Sequence, residues 1–144
     1  MAGILDTRLG TFAKAMANLS VSEIEAEGYN DSVLVQMADL NTKSQLDELG
    51  VFADGSPTPD YAYLTVQMKK AEGKRFDHMN FDDTGETRES ITYIFDGMNL
   101  RVDWNDRFDL ADNYGQIVGL TPQSIGYIQP EISQNIRQFI LSKL

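Results

Sequence analysis

The sequence contains no cysteine. Thiol nucleophiles and disulfide frameworks are therefore excluded. It contains one histidine, His78. A His-dependent triad would need a serine and an acid converging on that ring, and no nucleophile-elbow spelling occurs. A zinc site would need further His or Cys ligands. Neither a phosphate-loop nor a Gly-x-Gly-x-x-Gly spelling is present. No apolar run approaches the roughly 20 residues of a membrane span. Asp6 and the lack of a long apolar core argue against a signal peptide. The expectation is a protein with no catalytic residues, no metal site, no cofactor and no membrane contact. One enzymatic class stays open, because paired carboxylates for glycoside hydrolysis need only spatial proximity. With 22 acidic residues, the sequence singles out no such pair.

What is present in excess is acid. Lys and Arg number 12 against 22 Asp and Glu, a formal net charge of −10. Gripping phosphate backbones by counterion release is disfavoured. A surface that DNA slides past is compatible, since repulsion keeps the duplex from sticking. Solubility alone is the plainer reading of the same charge. The 144 residues suit one domain. Such a domain buries roughly 70% of the surface its unfolded chain exposes.

The first 49 residues read as helices. Leu5, Leu9, Phe12, Met16 and Leu19 step by four and three, an amphipathic helix over 4–19. Its stripe suits core packing or a subunit contact. Ser22 with Glu25 spells a capping box, and Gly28 breaks the following turn. Asn30 or Asp31 caps the next helix, which runs to about Leu49 on Val33, Leu34, Met37, Leu40, Leu46 and Leu49. Gly50 is its stop. Val51 to Pro59 reads as an exposed loop, with an Asp54-Gly55 turn, two prolines and a short strand at Val51-Phe52. Tyr61 to Ala71 reads as a short helix with Tyr61, Leu64 and Met68 on its apolar side. Lys69, Lys70, Lys74 and Arg75 then form the only basic cluster. It is either a solvated helix end suiting the dipole or a contact with an acidic neighbouring subunit.

Residues 81–103 organise the centre. Asp83-Thr84-Gly85 reads as a tight turn, with Asp83, Thr84 and Ser90 as turn and cap residues. Ile91, Tyr93 and Phe95 alternate with Thr92, Ile94 and Asp96. Asp96-Gly97-Met98-Asn99 connects them to Leu100–Asp103 as a hairpin. Asp103, Asn105 and Asp109 superficially resemble a calcium loop, but Phe108 and Tyr114 stand where it needs Gly and Glu. Phe108 to Tyr114 reads as a brief helix ended by Gly115. Thr121-Pro122 starts another, which Pro130 breaks or restarts. Ile132, Ile136, Phe139 and Ile140 mark a terminal helix. The order predicts a single α+β domain over 1–144. Its parts are N-terminal helices 4–49, loop and short helix 50–75, hairpin region 81–103 and C-terminal helices 106–144.

These residues carry a resemblance. Asp54-Gly55 is followed by Tyr63-Leu64-Thr65, by Lys69 and by Gly73. Then come Asp83-Thr84-Gly85-Glu86-x-Arg88-x-Ser90-Ile91, Tyr114-Gly115 and Gly119-Leu120-Thr121. The cadence, over about residues 40–122, resembles the virion-morphogenesis or tail-completion proteins of tailed phages. It is also similar to neck-ring proteins of phages and prophages of Bacteroidota, including crAss-like phages. The Trp common before Tyr63 in such proteins, and the His before Tyr114, are absent.

The resemblance implies a non-enzymatic structural protein of the virion, assembled in the host cytoplasm. Such a protein forms a homo-oligomeric ring at the head–tail junction. Its partners are the portal, neighbouring neck or tail proteins, and double-stranded DNA passing through without specific binding. A closed ring needs a heterologous interface. The candidate pairing sets Lys69, Lys70, Lys74 and Arg75 of one subunit against Asp82, Asp83, Glu86 and Glu89 of the next. Other readings of the chain are a tail terminator or minor tail protein, a small acidic inhibitor of a host protein, and a carboxylate-dependent glycosidase.

Overall fold

Short polar side chains cap three of the described helices. A computed structural model describes residues 8–81, 86–97, 99–106, 110, 114 and 116–143. Helix α1 spans Arg8–Ala17. Of its expected stripe, Leu5 and the side chains of Leu9 and Phe12 lie outside the description, while Met16 and Leu19 are half-buried. Helix α2 spans Val21–Gly28 and is capped by Ser20, whose hydroxyl accepts from the Glu23 N–H. The cap therefore belongs to Ser20-x-x-Glu23, two residues before the expected Ser22 and Glu25. Ser22 instead donates to the Gly97 carbonyl at 2.6 Å, tying α2 to the hairpin turn. Gly28 is buried, and a Cβ there would stand 3.0 Å from Ile136. It marks a close helix approach as well as a helix end.

Helix α3, Asp31–Asp39, starts at Asn30, whose side chain accepts from the Val33 N–H. It continues without a break into a π-helix, Leu40–Leu49, ended by Gly50 at φ 64°. The wider i→i+5 turn of a π-helix changes which side chains face inward. Val33 and Met37 of α3 are buried, four residues apart. From Asn41 the buried positions are 41, 45, 46 and 50, a step of four to five. An α-helical stripe would turn Ser44 and Glu48 inward. The π-helix brings in Leu46 instead, and leaves Leu49 52% exposed.

Val51 makes one isolated bridge to Pro57, and Phe52 behind it is a core residue. Helix α4 spans Tyr63–Ala71, with Tyr61 before it. A short helix α5, Glu86–Ser90, leads into strands β1, Thr92–Phe95, and β2, Leu100–Asp103. The two strands are antiparallel, with Tyr93 opposite Val102. Asp96 accepts from the Asn99 N–H and Gly97 takes φ 94°, closing the turn as expected.

Thr121 caps helix α6, Pro122–Ser142, which runs through Pro130 as one element. The expected break does not occur. Pro130 cannot donate to the carbonyl four residues back. That carbonyl is Gly126's, and both residues lie on the exposed face, where solvent can satisfy it. Most of the expected helix before Gly115 lies outside the described residues.

α3 occupies the middle. It packs on β1 from one side and on α6 from another, while α2 packs along α6. The core joins Val33, Met37 and Leu46 to Phe52, Phe81, Ile91, Tyr93, Ile117 and Ile128. This is the small α+β domain that the element order predicts.

Candidate functional site

Among the described residues, two polar networks and two open surfaces stand out. The first network is buried. Asn41 and Gln45, both fully buried, project from the π-helix. Asn41 donates to the Ile117 carbonyl at 2.9 Å. Its side-chain oxygen accepts from the Gly119 N–H at 2.9 Å and from the Tyr93 hydroxyl at 3.0 Å. Gln45 donates to the Gly119 carbonyl and accepts from the Thr121 N–H, each at 2.9 Å. Two amides thus satisfy the backbone of an otherwise irregular 117–121 segment, as buried polar groups require. Burial pushes the Tyr93 phenol up to about 12, against a smaller opposing effect of the Gly119 hydrogen bond.

The second network surrounds Asp47. Its Oδ1 accepts from Asn80 Nδ2 at 2.8 Å and lies 3.3 Å from Arg75 Nε and 3.6 Å from Arg88 Nη1. Its backbone carbonyl accepts from His78 Nε2 at 2.6 Å, which places the proton on that nitrogen. The His78 ring lies on Gly50, where a Cβ would come within 2.7 Å. Tyr61 donates to the Asn80 side chain and accepts from its N–H, at 2.9 and 3.1 Å. Asp77 stands beside Arg75 and His78. Burial raises the Asp77 carboxyl, but its own backbone N–H, His78 and Arg75 together hold it below the usual carboxylate value. The network clamps residues 75–80 and α5 onto the π-helix. Its groups are engaged with one another. Among the described residues no group of three or more His, Asp or Glu is placed to hold a metal ion.

The expected basic face is largely dismantled. Lys69 is only 5% exposed, with its ammonium 4.6 Å from the Tyr61 ring centre. Lys69 is therefore a buried residue of α4 and leaves the interface set, because a buried cation cannot reach a neighbour. Lys74 pairs with Glu72 at 3.2 Å, and Arg75 belongs to the Asp47 network. Lys70 is exposed, its ammonium 4.8 Å over the Phe76 ring. On the acidic side Glu89 is exposed. Asp82, Asp83 and the side chain of Glu86 lie outside the described residues, as do Thr84, Gly85 and Gly115. Ser90 accepts from the Asn105 N–H at 2.9 Å, joining α5 to the end of β2. Tyr114 meets Phe81 edge-on, with ring centres 5.6 Å apart.

Of the apolar side expected for α4, Tyr61 is half-buried, while Leu64 and Met68 are turned outward. Tyr63 and Leu64 are 74% exposed and Met68 is 64% exposed. What anchors the helix is its opposite face, with Lys69 buried and Thr65 and Val66 half-buried. The second open surface is a groove of about 570 Å³ between α3 and the α5–β1 segment. Ile91 and Tyr93 form its buried floor, and Val35, 62% exposed, stands on its wall.

Sequence reasoning did not find Asn41, Gln45 or Asp47. One signal was present, since Asn41 and Gln45 are polar residues placed where a helix between Met37 and Leu46 needs inward-facing side chains. No protein-family model matches the chain, and neither a curated protein nor a solved structure shows significant similarity to it.

Proposed function

We propose that the chain is a structural subunit of a tailed-phage virion, one protomer of a ring at the head–tail junction through which DNA passes. The observation that carries this reading is the outer face of α4, with Tyr63, Leu64 and Met68 all more than half exposed. Apolar patches on an otherwise anchored helix are characteristic of protein–protein contacts. Tyr and Met are also enriched at the centres of such contacts. The ordered cadence from Asp54-Gly55 to Gly119-Leu120-Thr121 supports the phage assignment. The net charge of −10 supports a channel wall that repels the duplex. Its further partners are the portal and the adjoining neck or tail proteins. The test is to purify particles of a phage encoding this chain and to label it with gold-conjugated antibody. Stoichiometric copies at the neck are expected. Complete particles without the chain would overturn the proposal.

A further inference from the structure

We infer that the groove between α3 and β1 receives α4 of a second copy of this chain, head to tail around the ring. This rests on the ring reading and adds which two surfaces meet. No residue of α4 lines the groove, so the two surfaces are distinct on one subunit. Distinct matching surfaces are what a heterologous, closing interface requires.

The dimensions agree. The nine residues of α4 rise about 13 Å, and α3 with the start of the π-helix borders the groove from Asp31 to Lys43, about 18 Å. Leu64 and Met68, four apart on the exposed face, are spaced as anchors of a helix laid in a groove. Charge selects the same match. Among the described residues Lys70 has no ion pair, and it shares the exposed face of α4 with Tyr63. At the groove the cations are already held, Lys43 by Asp39 at 3.1 Å and Arg88 beside Asp47. Asp31 and Glu89 have no ion pair among the described residues, which leaves the rim negative. A helix whose Lys70 has no ion pair thus faces an apolar groove whose Asp31 and Glu89 have none, among the described residues.

The absence of native cysteine makes the test direct. Val35→Cys and Met68→Cys are each made as the only thiol in the chain, at exposed positions, with circular dichroism confirming the fold. A short bis-maleimide is added to each variant alone and to their mixture. Cross-linked dimers in the mixture, and not in either variant alone, are expected. The double variant should give a ladder ending at the ring. Cross-linking of the Met68→Cys variant with itself would overturn the pairing. Closed rings by electron microscopy without a cross-link would overturn it while sparing the ring reading. A cross-link without closed rings would support the pairing and count against the ring. No association at all would overturn both. As a second readout, Lys70→Glu should lower the cross-link yield about two- to fivefold, and Glu89→Lys on the other partner should restore it.

Discussion

At the scale of single residues, Gly50 is the most constrained position described. It ends the π-helix in the left-handed region, which costs a non-glycine residue about 1–2 kcal/mol. A Cβ there would also collide with the His78 ring at 2.7 Å. Gly50→Ala should therefore lower the urea midpoint by more than the backbone cost alone. Gly55→Ala is the control, since its φ is 85° but nothing lies within 4 Å. It should cost only the backbone penalty.

Tyr93 gives a pH dependence with a definite sign. Its phenol is raised from 10.0 to about 12 in the folded protein. Below pH 10 both states hold the proton and the stabilisation is whole. Between pH 10 and 12 the unfolded state loses the proton first, so stability falls as pH rises, by about 2 kcal/mol. Tyr93→Phe should remove that alkaline slope in urea titrations. Asn41→Ala should cost about 2–4 kcal/mol at neutral pH, because it strands the Ile117 carbonyl, the Gly119 N–H and the Tyr93 hydroxyl. Residue-level reading worked where the chemistry is local. Asn30, Gly50 and Thr121-Pro122 are caps and stops legible from their neighbours alone. Asn41 and Gln45 were not legible, because their partners lie 52–78 residues away in sequence.

At the scale of elements, two helices depart from their patterns, each for a physical reason. α4 carries apolar residues at helical spacing, and that spacing says only that one face is apolar. The face that meets the core carries Lys69, whose ammonium lies 4.6 Å from the Tyr61 ring centre. Met68→Glu should leave stability within about 0.5 kcal/mol, as for an exposed position, and should abolish self-association by light scattering. Loss of fold instead would place that face in the core. α6 keeps Pro130 in its interior because solvent reaches the unpaired Gly126 carbonyl. Pro130→Ala should raise stability by about 1–3 kcal/mol in thermal melts, since it restores that hydrogen bond and removes a ring clash. The π-helix was legible as a helix over its whole length, and the shift of period that turns Leu49 outward was not.

At the scale of the whole molecule, the α+β order and the hairpin followed from apolar periodicity and turn residues. The proposed interface follows less directly. The basic cluster at 69–75 is mostly spent inside the subunit, on Tyr61, Glu72, Asp47 and Asp77. Lys70 alone of the four remains a candidate for a neighbour's acid, so any ring contact rests on the apolar face around it. Salt should then weaken assembly only modestly, because screening acts on the exposed charges and not on apolar burial. The most direct measurement is the mass of the purified chain by light scattering across a concentration series, with electron microscopy of the same samples. Closed rings of one symmetry that dissociate on Met68→Glu are expected. A chain that stays monomeric at every concentration would contradict the ring reading.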